Sequence, residues 1–233
     1  MKHMIRRLAA ILIVGVLSSV PVAAMAASQP AAPPEMDAWL KAAKLGPYAE
    51  SPQNWDEIER RAKEEGSLAI YSSSSRMAKV AKAFMAEHPG IEVNSFDLGS
   101  VKSIEKTVRE QDAKIYNADI ITTGGSGQVI HELWAKNRIV NFVPDAFKGR
   151  IPASLKEPLL VRILEANVVM YNREVHSGAP PIKNIWEITE AKWTGKLALK
   201  DPLASLSNFM GIATLVQHAD ELAAAYKRHA GKD

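Results

Sequence analysis

The chain repeats one pattern three times: a short β-strand pattern, a loop of small polar residues, and an amphipathic helix pattern. The strand patterns occupy residues 68–71, 91–96 and 118–122. Apolar side chains at helical spacing follow each of them. Because three consecutive strand–helix units favour a parallel sheet with right-handed crossovers, we expect an α/β fold.

Each helix pattern predicts a buried apolar face. The predicted faces are Met77, Val80, Ala81 and Phe84 in the first helix; Val101, Ile104 and Val108 in the second; and Val129, Ile130, Leu133 and Trp134 in the third.

The loops of these units predict a ligand site. Loops at the carboxyl ends of parallel strands point backbone N–H groups and helix N-termini at one crevice, where α/β sheets bind small polar solutes. The first loop adds hydroxyls and a guanidinium, which favour a carboxylate, phosphate or carbonate. The candidate ligand-binding residues of this first loop are Tyr71, Ser72, Ser73, Ser74, Ser75 and Arg76. Alternatively, the serines form an ordinary helix cap and Tyr71 packs in the sheet.

Later loops contribute further candidates. Ser100 is either a ligand contact or a helix cap. Gly125 and Ser126 lie in a glycine-rich loop, where a ligand can approach the backbone closely. A polar loop before a later helix pattern contributes four more residues, again as ligand contacts or as caps. These are Asp201, Ser205, Ser207 and Asn208.

The N-terminal segment has the three parts of a secretory signal peptide. Residues 1–7 are basic, residues 8–20 form an apolar run too short to span a bilayer, and Ala24-Met25-Ala26 is a cleavage signal. We therefore expect residues 1–26 to be removed on export. The alternative is an uncleaved N-terminal anchor.

Removal of the signal peptide changes the net charge of the chain. The full chain carries 29 Lys and Arg against 26 Asp and Glu. Residues 1–26 contain Lys2, Arg6 and Arg7 and no acid, so the remaining chain has equal numbers of bases and acids. A chain without excess positive charge lacks the electrostatic footprint of a nucleic-acid-binding protein. The absence of cysteine excludes thiol chemistry and cysteine-ligated metals.

The pattern divides the chain into four parts. After the signal peptide, residues 27–53 form a linker and an N-terminal helix at 36–44; residues 54–165 form an α/β lobe; and residues 166–233 form part of a second lobe. The first lobe begins with a helix at 55–65, for which Asn54 and Glu57 predict a capping box.

The regular alternation of strand and helix patterns ends after the third unit. We expect short strands or extended segments at 139–143, 159–164, 167–171 and 197–199, a turn or short helix at 145–150, a helix after Asp201-Pro202, and a last helix from about 219 to 229. Residues 166–233 hold too few strands to close an independent sheet. We therefore expect a fragment whose second lobe continues beyond Asp233; the alternative is a complete but reduced lobe.

Three stretches, residues 64–76, 167–172 and 182–202, resemble periplasmic solute-binding proteins of the ferric-iron type, within extracellular solute-binding protein family 1. The most specific stretch contains Trp193, Gly195-Lys196 and Asp201-Pro202. The resemblance covers about residues 54–218. It implies a two-lobed monomeric periplasmic receptor that closes on its ligand and delivers it to the permease of an ABC importer.

The resemblance also implies a ligand, ferric iron with or without a synergistic anion. Such receptors place an adjacent tyrosine pair in the second lobe, and this chain contains no such pair. Tyr116, Tyr171 and Asp119 are unplaced candidates for an oxygen-rich iron site, so its metal ligands are unknown. A small organic anion, a phosphonate or a polyamine is the alternative ligand.

Enzyme motifs fail at required positions. The His131-Glu132 pair lacks the second histidine of H-E-x-x-H, Gly195-Lys196 lacks the other residues of a Walker loop, and G-x-S-x-G does not occur. We therefore expect a binding protein that is not an enzyme and has no cofactor. The alternatives are a secreted hydrolase that uses the serine-rich loop, and a truncated product with an incomplete cleft.

Overall fold

The computed structural model of the protein describes residues 29–164 and 168–231. The predicted signal peptide, Asn167 at the start of a predicted segment, the boundary at 165–166 and Asp233 lie outside the described residues. Among the helices that are described, none has both the length and the apolarity needed to cross a bilayer.

Two helices precede the sheet. Helix α1 spans Pro34–Ala43, and helix α2 spans Trp55–Glu65. The Asn54 side chain accepts a hydrogen bond from the backbone N–H of Glu57 at 3.1 Å, which supplies one half of the predicted capping box. The Glu57 carboxylate binds Arg60 at 2.8 Å. The Glu57 carboxylate, which was expected to complete the capping box, is thus engaged in a surface ion pair.

Three parallel strands form the sheet. They are β1 (Ser67–Ser72), β2 (Glu92–Asp97) and β3 (Ile120–Thr122), in the order β2-β1-β3. Strand β1 pairs with β2 along its full length and with β3 over three residues, from Ile70↔Ile120 to Ser72↔Thr122. The expected α/β class with a parallel sheet is confirmed.

Helices cover both faces of this sheet. Helix α3 (Met77–Glu87) packs Met77 and Ala81 on Ile70 and Val93, which lie on one face. Helix α4 (Ser100–Asp112) packs on the other face, where Ile104 is 1% exposed. The sheet is therefore doubly wound, with one apolar core on each side.

The buried face of α3 differs from the expected one. Val80 is 56% exposed and Phe84 is 36% exposed, whereas Met85 packs against the core. The prediction that Val80 and Phe84 are buried was wrong, because the three-stranded sheet covers only a narrow stripe at i, i+4 and i+8 of the helix.

The third helix is short and irregular. Helix α5 (Ser126–Gln128) passes directly into a π-helical turn at Val129–Trp134. Val129, Leu133 and Trp134 are buried as expected, and Leu133 contacts the α4 core. Gly124, Gly125 and Gly127 weaken regular helix at its start, which is one reason for the departure from a full amphipathic helix.

After the π-helical turn, the described chain contains helices and coil. Helix α6 spans Asp145–Lys148, α7 spans Leu206–Gln217 and α8 spans Ala219–Ala230. Short 3-10 helices lie at Ala153–Leu155, Ile185–Thr189, Ala191–Trp193 and Pro202–Ala204. The helices expected after Asp201-Pro202 and at the end of the chain are present.

In the described chain, the short strands expected at 139–143 and 197–199 are not formed, and the segments expected to be extended at 159–164 and 168–171 join no sheet. A strand is stable only when a neighbour pairs its backbone groups, and Leu164, Met170 and Leu199 are at least 73% exposed. Their apolar sequence favours extended backbone, but no described segment pairs with them.

We predict that Ile104→Ala lowers the free energy of unfolding by about 3 kcal/mol, because it opens a cavity in the core beneath the sheet. Ile163→Ala removes the same atoms from a side chain that is 49% exposed. This control should cost less than about 0.5 kcal/mol. Urea unfolding followed by circular dichroism measures both, and equal losses would contradict the described core.

Candidate functional site

The strand order places a topological switch point at the carboxyl ends of β1 and β3, where a ligand crevice is expected. The chain leaves β1 towards the α3 face and leaves β3 towards the opposite face. Neighbouring strands whose connections diverge in this way leave a gap between their loops, and α/β sheets bind ligands there. The loops beginning at Ser72 and Thr122 therefore form the two sides of the candidate site.

Ser72 and Ser73 lie at the carboxyl end of β1, next to the loop after β3. Ser72 is fully buried, and its Oγ accepts from the N–H of Ser74 at 3.0 Å. The Ser73 N–H donates to the Thr122 carbonyl at 3.1 Å. The Ser72 hydroxyl thus shapes the loop, and the Ser73 amide ties the two loops together.

Arg76 lies at the rim. It immediately precedes α3, and both Ser75 and Arg76 are exposed. Within residues 29–164 and 168–231, the Arg76 guanidinium has no hydrogen-bond or ion-pair partner. It is therefore a free cation at a helix N-terminus, where an anion is favoured.

Tyr71 faces away from the crevice. It is 2% exposed, and its hydroxyl donates to the Glu110 carboxylate at 2.8 Å. Burial and this hydrogen bond raise the pKa of Tyr71. The side chain braces α4 against the sheet, and its hydroxyl is already bound.

The Glu110 carboxylate accepts hydrogen bonds from three polar side chains. Burial acts to raise the pKa of Glu110, but hydrogen bonds from Lys106, Asn117 and Tyr71 outweigh it and hold the pKa below its ordinary value. The carboxylate is therefore ionised at neutral pH and stabilises the packing of α4 on β1.

The start of α7 sits on the edge of the sheet. The N–H of Leu206 donates to Ser100 Oγ at 3.3 Å, so the first residues of α4 and α7 touch. The Leu206 side chain packs against the core formed by Ile104, Val129 and Leu133. This contact joins residues that are 106 positions apart in the chain.

The glycine-rich loop makes room for Leu206. A Cβ on Gly125 would lie 2.5 Å from Leu206 Cδ1, and one on Gly124 would lie 2.9 Å from Ser207 Oγ. Gly125 also has a φ of +79°, which side-chain-bearing residues rarely adopt. Only glycine permits this approach without displacement of α7.

A second contact involves Arg162, which was not among the residues predicted to bind ligand. Arg162 Nε donates to Thr122 Oγ1 at 2.9 Å. Arg162 interrupts the apolar run at 159–164, and this interruption was the available signal. It places a second guanidinium at the carboxyl edge.

The remaining candidates lie at the periphery. Ser126 is exposed at the start of α5, Asp201 caps a 3-10 helix by accepting from Leu203 N–H at 2.9 Å, and Asn208 binds the Lys200 carbonyl at 3.2 Å. Ser205 is 8% exposed and precedes α7. The structure therefore brings together Ser72, Ser73, Ser100, Gly125, Ser205 and Ser207, with Arg76 at the rim and Tyr71 behind the sheet.

The electrostatics of this edge favour an anion. Helices α4 and α7 begin close together, and the Ser205 side chain makes no capping hydrogen bond. The positive ends of both helix dipoles meet there, and the first N–H of α7, that of Leu206, already donates to Ser100 Oγ. Two guanidiniums add positive charge, while Asp97 supplies one exposed carboxylate at the end of β2.

Metal ligands do not converge in the described part of the chain. Within it, no three His, Cys, Asp or Glu side chains are placed to hold a metal ion. Neither protein-family models nor curated proteins match this chain.

Gly125→Ala should destabilise the protein by about 2 kcal/mol, because the methyl group collides with Leu206 and the left-handed backbone is strained. Gly127→Ala is the control, since nothing lies within 4 Å of its Cβ position. Adding Leu206→Ala to Gly125→Ala should recover part of the loss. Thermal unfolding measures all three, and equal effects of the two glycine variants would contradict the close approach.

Glu110→Gln should cost about 1 kcal/mol at pH 7, because the amide loses charge-assisted hydrogen bonds. The folded-state pKa lies below the unfolded value, so this stabilisation is complete above the ordinary pKa of 4.5 and disappears as pH falls through the folded pKa. The difference in urea midpoint between wild type and Glu110→Gln should therefore shrink below about pH 4. A difference that stays constant from pH 7 to pH 3 would contradict it.

Proposed function

We propose that the protein is an exported solute-binding receptor that passes a small ligand to an ABC importer in the inner membrane. The ligand binds at the carboxyl edge of the sheet, between the loops after β1 and β3 and the start of α7. In this proposal, residues 54–165 belong to one lobe and residues 166–233 to a second, and the receptor acts in the periplasm as a monomer without enzymatic activity.

One observation carries the proposal. Residues of the two proposed lobes meet at the sheet edge, where the N–H of Leu206 donates to Ser100 Oγ at 3.3 Å. A crevice bordered by both halves of a chain can respond to a ligand by changing their relative position. A receptor needs that coupling to signal occupancy.

The proposed ligand is ferric iron held together with an anion. The anion would lie near Arg76 and Arg162, with the N-termini of α4 and α7 donating to its oxygens. Iron enters the proposal through the family resemblance, as cargo.

A second candidate ligand is an organic anion or phosphonate without metal. The lack of a converging group of His, Asp or Glu side chains in the described residues favours it. The N–H groups and guanidiniums at the edge suit either ligand equally well, since both present oxyanions.

Calorimetric titration of the purified protein with citrate, ferric citrate, methylphosphonate and spermidine tests the proposal. Ferric citrate should bind more tightly than citrate if iron is the cargo. Arg76→Ala should weaken binding of the preferred anion about tenfold, because it removes a charge-assisted hydrogen bond.

Arg61→Ala is the matched control, because Arg61 is likewise an exposed arginine but lies on α2, away from the sheet edge. It should leave the affinity unchanged. If citrate or methylphosphonate binds as tightly as ferric citrate, the second candidate, an organic anion or phosphonate without metal, replaces ferric iron as the proposed ligand. No binding of any probe, or equal affinity in Arg76→Ala and wild type, would contradict the proposed site, and preferred binding of spermidine would contradict its anion chemistry.

A further inference from the structure

A cavity away from the candidate site has a volume of about 280 Å³. Its walls come from two segments, residues 46–53 before α2 and residues 141–157 around α6. None of the residues proposed above for ligand binding lines it. Its volume is near the lower end of the range for small-molecule sites, about 300 Å³.

Hydrogen bonds between side chains and backbone hold these walls in place. The N–H of Gln53 donates to Asp145 Oδ2 at 2.9 Å, and the N–H of Asp145 donates to Gln53 Oε1 at 3.0 Å. Asn141 donates to the Lys156 carbonyl at 2.7 Å and accepts from Leu160 N–H at 2.9 Å. The two segments are therefore joined before any ligand arrives.

Two lysines line the cavity, and their environments differ. Lys148 Nζ lies 2.6 Å from Asp145 Oδ1, which neutralises its charge. Lys156 Nζ donates to the Lys148 carbonyl at 2.6 Å. Among the described residues, no carboxylate oxygen lies within 4.0 Å of the Lys156 ammonium. This half-buried cation keeps N–H groups without a protein acceptor.

The other lining groups limit the kind of molecule that can bind in the cavity. Phe142, Val143 and Ala49 supply apolar surface, and Glu157 is the one carboxylate among the lining residues. The side-chain carbonyl oxygen of Gln53 accepts from Asp145 N–H, and its buried amide nitrogen has no acceptor in the described chain. An unneutralised ammonium beside apolar side chains suits a molecule with one anionic end and one apolar end.

We propose that this cavity binds a small organic carboxylate, with its carboxylate on the Lys156 ammonium and its apolar part against Phe142 and Val143. The site is independent of the receptor function proposed above.

Titration of ¹⁵N-labelled protein with sodium benzoate tests the site by NMR, with benzamide as the uncharged analogue and inorganic phosphate as the anion without an apolar part. Benzoate should shift the amides of Gly46, Ala49 and Phe142, and benzamide and phosphate should bind about tenfold more weakly. Lys156→Met should weaken benzoate binding about tenfold, because the apolar stem remains while the charge is lost.

Lys82→Met, on the exposed face of α3, is the control and should leave benzoate affinity unchanged. Lys156→Arg should retain binding, and unchanged amide shifts elsewhere in the spectrum establish that each variant is folded. Equal affinities for benzoate and benzamide, equal affinities in wild type and Lys156→Met, or the absence of shifts within residues 46–53 and 141–157 would overturn the proposal. Phosphate bound as tightly as benzoate would also overturn it, since the apolar wall would then have no part.

Discussion

Strand β1 has a parallel neighbour on each side, and the rest of the described structure depends on this double pairing. Parallel pairing carries all three strands in one direction, so their following loops reach the same edge of the sheet. It also buries β1 between α3 and α4, which gives the small sheet an apolar core on both faces. The positions of Ser73 and Thr122 at the crevice are consequences of that arrangement.

The contact of α7 with this edge is the second constraint. Leu206 reaches the α4 core only because Gly125 lacks a side chain, and its backbone N–H finds an acceptor in Ser100. The same contact brings two helix N-termini together. Like dipole ends repel each other, so an anion between them would relieve an unfavourable arrangement as well as bind. The geometry therefore couples the packing of α7, in the second half of the chain, to ligand chemistry at the sheet edge, which the first half forms.

Local patterns predicted the first half well. The strand at 67–72 and the helix at 55–65 follow from short-range alternation, spacing and turn residues, which the sequence displays directly. The segment at 159–164 has an equally clear apolar pattern, but a strand also needs a partner, and partners are not a local property. The roles of Arg162 and Leu206 depend on contacts with residues 40 and 106 positions away, which no local pattern encodes.

A nuclear Overhauser effect between the Gly125 α-protons and the Leu206 methyl groups, measured in solution, tests whether α7 packs against the sheet edge. A strong cross-peak is expected, because the Leu206 side chain lies against the open face of Gly125. That peak should coexist with protection of the Leu206 amide from solvent exchange. A spectrum in which both residues are assigned, the cross-peak is absent and the amide exchanges freely would contradict the claim that α7 completes the crevice.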